Sequence, residues 1–310
     1  MPNSNGKMMT NQISGSILLT FAHSSVERKM KSFILLTRLA LALGAMLFAT
    51  HAFPADPDPD PAKSEIWIKV KNLLFEGRAI EITGNDLITL EAPVRAEDAA
   101  TVPIAIKAQI PQSPQKYVQT IYLVIDKNPS PIAAVFHLTP DSGRADIDTR
   151  VRIEEYSYVR AIAEMNDGKL YMAMRYVRAS GGCSAPAGKD QEAALARLGK
   201  MKFRLDNEVA LNRPNLAQLM ISHPNNSGLQ MDQLTRHFIP ARFVKKIDVT
   251  YSGKLILSAE VDFSISENPN FRFYFIPRES GELKAEVIDS SDLQFNSYIM
   301  VEPGVTAAGS

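Results

Sequence analysis

The stretch from residue 127 to residue 177, "KNPSPIAAVFHLTPDSGRADIDTRVRIEEYSYVRAIAEMNDGKLYMAMRYV", decides the fold. Its runs "IAAVFHL", "RVRIEEY", "YVRAIAEM" and "KLYMAMRYV" are of strand length and rich in β-branched and aromatic residues. They are separated by "KNPSP", "TPDSG" and "NDG", all turn chemistry. Short strands joined by such turns, with no helix between them, predict an antiparallel β-sandwich.

The same reading extends outward in both directions. Upstream, Val102, Ile104, Ile106 and Ala108 alternate with other residues. Ile121, Leu123 and Ile125 do so with Tyr122 and Val124 on the opposite face. Earlier still, Ser64 is placed to cap a short helix in "SEIWIKVKNLLFEGR", with Trp67, Val70, Leu73 and Leu74 on one face and Gly77 at its end. Downstream, "KMKFRL", "NLAQLMISH", "FRFYF" and "ELKAEVIDS" read as further strands. Ile247, Val249 and Tyr251 face one way, and past a Ser252-Gly253 turn Leu255, Leu257, Ala259, Val261 and Phe263 share a face. The expected fold is therefore all-β, with two β-sandwich domains joined by a Cys-bearing loop and a short helix.

That loop, "RASGGCSAPAGKD" at residues 178–190, holds the only cysteine of the 310-residue chain. The following "DQEAALARLG" reads as a helix, with Asp190 as N-cap and Gly199 as stop. Cys183 thus falls between a strand and a helix. Gly181 and Gly182 permit unusual backbone angles, and Pro186 and Gly188 keep the segment out of any strand. The expectation is a flexible arm that projects the sulfur about 14 Å from the body. An incidental loop cysteine fits the composition equally well.

The N-terminus resembles a targeting segment. Residues 30–52, "MKSFILLTRLALALGAMLFATHA", have a basic start, an apolar stretch and small residues before the end, as a secretory signal does. Residues 1–29 read as an over-extended start, and residues 53–63 as a Pro/Asp linker. The expected domains are residues 64–182 and 201–303, with the loop and helix at 183–200 and a tail at 304–310. Export places the domains in an oxidising compartment, expected to be the periplasm, with no membrane span left after signal removal. A lone cysteine there forms no internal disulfide, so it is inert, joined to another chain, or reactive.

Several function classes are excluded or weakened. The 34 basic and 34 acidic side chains cancel, so nothing suggests nucleic-acid binding. His137, His223 and His237 show no metal-ligand spacing. No phosphate-binding glycine loop or nucleophile elbow is present, so no cofactor and no catalytic residue are expected. A Cys183–His223 or Cys183–His237 pair is not visible in the spacing. Glu154 and Glu155 read as solvent-facing, and Asp289 and Asp292 as flanks of a turn.

Three stretches, "EDAATVPIAIKAQIP", "KNPSPIAAVFHLTPDSGRADIDTRVRI" and "AIAEMNDGKLYMAMRYVRASGGC", resemble the Y subunit of the SoxYZ sulfur carrier of bacterial sulfur oxidation. The resemblance rests on Asn128-Pro129, on Phe136-His137-Leu138 with Pro140, and on Gly181-Gly182-Cys183. "LMISHPNNSG", "VTYSGKLILSAEVDFSISENPNFRFYFIP" and "ESGELKAEVIDS" resemble the Z subunit. The order Y then Z is similar to the fused SoxYZ-like carriers associated with quinoprotein alcohol dehydrogenases. The resemblance implies that both sandwich domains are immunoglobulin-like, and that the chain is a non-enzymatic covalent carrier that presents a sulfur-bound group on an exposed Cys183 to periplasmic redox enzymes, with the two halves docked together. In the separate Y subunit the chain ends just after the cysteine, whereas here it continues, so the arm is tethered at both ends. The alternative is an accessory module of a quinoprotein dehydrogenase system, with Cys183 incidental or in an interchain disulfide.

Overall fold

The computed structural model describes residues 58–82, 87–186, 191–205, 208–233 and 235–304. The one long helix, α1 (Glu65–Phe75), starts where the sequence predicts, with Ser64 Oγ accepting the Trp67 N–H at 3.2 Å. Trp67, Val70 and Phe75 are buried, whereas Leu73 is 74% exposed. At roughly 100° per residue Leu73 lies well off the stripe of Trp67, Val70 and Leu74. Phe75, on the other side of that stripe, is buried and meets Tyr122 edge-on, with ring centroids 5.1 Å apart. The helix ends on Glu76, which adopts a left-handed conformation one residue before Gly77.

Among the described residues fifteen strands follow, in two sheets. The first half of the chain supplies β1 (Ile80–Ile82), β2 (Ile88–Glu91), β3 (Val102–Ala108), β4 (Val118–Ile125), β5 (Ile132–Leu138), β6 (Ile147–Val151), β7 (Ser157–Met165) and β8 (Leu170–Val177). After the short helix α2 (Gln191–Ala196) come β9 (Met201–Leu205), β10 (Asn215–Ile221), β11 (Val244–Tyr251), β12 (Lys254–Val261), β13 (Asn270–Phe275), β14 (Gly281–Asp289) and β15 (Gln294–Val301). The nine-stranded sheet has the order β1-β8-β7-β4-β5-β12-β11-β14-β15, and the six-stranded sheet β2-β3-β6-β13-β10-β9. All-β sandwich architecture is thus as expected. The inner faces of both sheets contribute to one apolar core that includes Ile104, Ile121, Phe136, Val249, Phe271 and Phe273.

The halves meet by backbone pairing. β5 and β12 run antiparallel, with Phe136 opposite Ala259, so the larger sheet crosses from one half to the other without interruption. The smaller sheet crosses between β6 and β13, with Arg272 opposite Asp148 and an antiparallel bridge of Val151 with Ile265 beside it. Apolar docking between two closed domains is therefore only part of the junction, because main-chain hydrogen bonds also join them.

Two further differences from the sequence reading have local causes. Ser252 and Gly253 both have positive φ, as a two-residue hairpin turn requires. A register shift at Val249/Thr250 then leaves Leu255 exposed and Ile256 buried. The run "RVRIEEY" does not continue as a strand. β6 stops at Val151, and Arg152 and Ile153 are buried in succession as the chain leaves the sheet.

The outer face of the larger sheet is covered by α1, which explains why Val124 and Ile162 are buried on the side away from the main core. A bidentate ion pair pins it there. Arg160 donates from Nε and Nη2 to Asp126 at 2.8 and 2.7 Å, and from Nη2 to the Pro61 carbonyl at 2.8 Å. Its guanidinium lies 4.5 Å from the Trp67 ring centroid.

Candidate functional site

The cysteine segment is held at the junction of the halves. Asn128 builds one wall. Its Nδ2 donates to the Arg152 carbonyl at 2.7 Å and to Ser264 Oγ at 3.0 Å, while its Oδ1 accepts the Glu154 N–H at 2.9 Å. Residues 152–154 are thereby fixed as a ledge. The chain beyond β8 runs back along that ledge, with Gly181 N–H donating to the Glu154 carbonyl at 2.8 Å and Gly182 N–H to the Ile153 carbonyl at 2.9 Å. The Glu154 carboxylate accepts from Cys183 N–H at 2.8 Å, Ser184 N–H at 3.1 Å and Ser184 Oγ at 2.8 Å.

The second half closes the other side. Ser227 Oγ donates to the Cys183 carbonyl at 2.5 Å, and Gln230 Nε2 donates to the Ala185 carbonyl at 3.2 Å. Cys183 is 0% exposed. Burial, and then the negative charge of Glu154, push its thiol up to about 12, while Arg152 pulls the other way and Asp262 adds to the rise. At neutral pH the sulfur in this position is a protonated thiol with little nucleophilicity.

This corrects the expectation of an exposed, projecting cysteine. The glycines serve close packing here. Gly181 has φ +79°, and a Cβ at Gly182 would lie 2.1 Å from the Ala99 carbonyl oxygen and 2.7 Å from the Ile153 nitrogen. Pro186 is exposed at the end of the described segment, and Gly188 and Asp190 lie outside the described residues.

Comparison with known proteins bears on what this arrangement is. The family model "Sulfur oxidation protein SoxY" matches residues 71–183, and "Sulphur oxidation protein SoxZ" matches residues 203–299. The chain belongs to the fused SoxYZ-like family. Within the SoxYZ-like chain the SoxY match ends on Cys183 itself, and the SoxZ match begins just past the connecting helix. No curated protein matches the sequence. Among solved structures, the sulfur carrier protein SoxY from Chlorobium limicola f thiosulfatophilum is 24% identical, covering 37% of this chain and 96% of that one, with a TM-score of 0.31. A superoxide reductase (neelaredoxin) from Ignicoccus hospitalis is 14% identical over 30% of this chain and 80% of its own, with a TM-score of 0.27. Fibronectin(III)-like modules of Clostridium thermocellum CbhA are 11% identical over 70% of this chain and 94% of theirs, with a TM-score of 0.22.

Among the described residues, no histidine makes a hydrogen bond or ion pair with Cys183. His223 is buried, accepts the Asn225 N–H on Nδ1 at 3.0 Å, and places Nε2 3.6 Å from Asp289. Burial pushes its pKa down despite that carboxylate. His237 is exposed, and His137 lies 3.3 Å from Thr120 Oγ1 on the β4–β5 pair. Among the described residues no group of three His, Cys, Asp or Glu side chains is placed to hold a metal. A cleft of about 560 Å³ on the six-stranded sheet, lined by Pro93, Pro103, Asp148, Arg150 and Arg272 among others, shares no residue with the cysteine site. Among the described residues no helix is long and apolar enough to cross a membrane.

The sequence reading missed the four side chains that hold or face the cysteine segment, namely Arg152, Glu154, Ser227 and Gln230. No local signal marked them: in "RVRIEEY" Arg150, Arg152 and Glu154 alternate with Val151 and Ile153, which is the pattern of an ordinary half-exposed strand.

Proposed function

We propose that this chain is a covalent sulfur carrier that holds a sulfur-bound intermediate on Cys183 and presents it to periplasmic redox enzymes without catalysing a reaction itself. The observation that carries the reading is the position of the only cysteine, at the end of the SoxY match and gripped by side chains from both halves. A buried thiol of pKa about 12 is a resting state, shielded from oxidants. Loading then requires residues 183–185 to leave Glu154, Ser227 and Gln230. Once released, the thiol loses its proton, and its thiolate attacks the sulfane sulfur of a persulfide or polysulfide donor. A new S–S bond forms on Cys183, the donor's S–S bond breaks, and the departing thiolate takes the electron pair. The signal-like residues 30–52 support export to the periplasm, where the partner enzymes act.

The burial of Cys183 favours a second reading, an accessory module for a quinoprotein dehydrogenase system in which the thiol is inert. Intact-mass measurement on protein taken directly from cells separates the two. A carrier shows a heterogeneous adduct that reductant removes and that Cys183→Ser lacks. An unmodified mass in every growth condition, with full activity of the serine variant, leaves the accessory reading. N-terminal mapping of the same protein tests export, which predicts a mature start near Phe53.

A further inference from the structure

We infer that Arg152 is the charge partner of an anionic group carried on the Cys183 sulfur, so that the withdrawn site favours negatively charged adducts over neutral ones. The inference rests on the carrier reading and concerns which chemical class the site retains. Arg152 is 2% exposed, yet its guanidinium makes one hydrogen bond, from Nη2 to the Asn225 carbonyl at 3.1 Å. Its Nε has no partner, and among the described residues no carboxylate forms a salt bridge with it. A guanidinium has five N–H donors, and a buried cation without a counter-ion is expensive.

Arg160, equally buried, shows how this protein satisfies a structural arginine: a bidentate carboxylate, a carbonyl and an aromatic face. Arg152 lacks all but the carbonyl. Its position supplies the reason. It immediately precedes Ile153, whose carbonyl accepts from Gly182, and its partner Asn225 lies two residues before Ser227, which grips the Cys183 carbonyl. Arg152 is also the one group whose charge acts to favour an anionic sulfur at Cys183.

The opposing charges are accounted for. Glu154 already accepts three hydrogen bonds from residues 183–184. Asp262 has an unpartnered Oδ1, and burial pushes its pKa up, toward the neutral acid. Asp98 and Glu267 act on Arg152 without forming an ion pair. A terminal persulfide or a sulfonate bonded through sulfur to Cys183 supplies the anion this shell lacks.

The test compares two adducts on the full chain. With tetrathionate, the Cys183 thiolate bonds to a sulfane sulfur, one S–S bond breaks, and thiosulfate leaves with the electron pair, giving Cys183–S–S–SO3⁻. With methyl methanethiosulfonate, methanesulfinate leaves and the neutral Cys183–S–S–CH3 remains. Release of each adduct by dithiothreitol is followed by intact mass, and each rate is divided by that of the same adduct in urea-unfolded chain. The sulfonate adduct is expected to be protected about ten- to a hundredfold more than the methyl adduct, the range for a buried hydrogen bond to a charged group. Arg152→Met should remove that difference, and Arg152→Lys should keep part of it. Equal protection of the two adducts in the wild-type protein overturns the inference whether or not any variant folds. So does an unchanged ratio in folded Arg152→Met. Because both adducts are made in vitro, the result stands apart from whether protein from cells carries a group at all.

Discussion

Replacing Gly182 by alanine should expose the thiol without unfolding the protein. The new Cβ meets the Ala99 carbonyl oxygen at 2.1 Å, the Ala99 carbonyl carbon at 2.6 Å and the Ile153 nitrogen at 2.7 Å. These are backbone atoms, and the Ala99 oxygen and Ile153 nitrogen are hydrogen-bonded to each other at 2.9 Å, so neither retreats cheaply. The arm must move instead. Overpacking of this kind costs about 1–3 kcal/mol, which raises the open population by roughly 5- to 150-fold. A bulky maleimide that reacts only with the open arm should label Cys183 faster by that factor. Gly181→Ala, where the obstacle is a positive φ and the new methyl group meets only Ser184 Oγ at an ordinary 3.9 Å, should give a smaller rise, on the order of 5- to 30-fold. Thermal unfolding measured on the same samples separates arm release from global loss of structure. If Gly182→Ala labels at the wild-type rate with an unchanged melting temperature, the close approach at Gly182 is not what holds the cysteine in.

Other perturbations test neighbouring parts of the argument. Glu154→Ala removes the acceptor of three hydrogen bonds from residues 183–184 and should accelerate maleimide labelling by about tenfold or more, with little change in the denaturant midpoint. Asp126→Ala leaves Arg160 buried without its carboxylate and should cost about 3–5 kcal/mol in denaturant titration, many times the effect of the exposed Lys169–Asp167 pair. Two pH effects follow from the buried groups. The Cys183 thiol is raised to about 12, so the unfolded chain ionises first, and stability should fall as pH rises from the ordinary thiol range towards 12; Cys183→Ser should flatten that limb. His223 is lowered, so the unfolded chain takes up its proton first on acidification, and stability should fall as pH drops below about 6.5, less so in His223→Gln.

Much of the fold was legible because the strands repeat a period-two pattern. Val102, Ile104 and Ile106 are buried as read, and so are Ile247, Val249 and Tyr251. The errors fall where a local rule was overridden. Leu255 turned outward because a bulge shifts the register, and Leu73 is exposed because it lies off the buried stripe of its helix. The pairing of β5 with β12 left no mark in the sequence, since strand order depends on edges that alternation does not describe. The site was half legible. Cys183 and its glycines stand out by composition, yet the same glycines suit a loose arm and a tightly packed one. Only the position of Ala99 distinguishes these, and Ala99 lies far away in the chain. Glu154 read as a surface charge because its partners, Cys183 and Ser184, come from a segment distant in sequence.

The continuous sheet also determines how this molecule must assemble itself. The strands that join the halves, β5 and β12, lie at the middle of nine and are separated by roughly 120 positions along the chain, a separation that slows folding. Neither half completes its larger sheet until the other has emerged and found it. During that interval β5 presents an unpaired edge, and the cysteine has no lid from Ser227 and Gln230. Maturation of the chain and concealment of its sulfur are thus one event, and a newly made molecule is chemically vulnerable until its last third has folded.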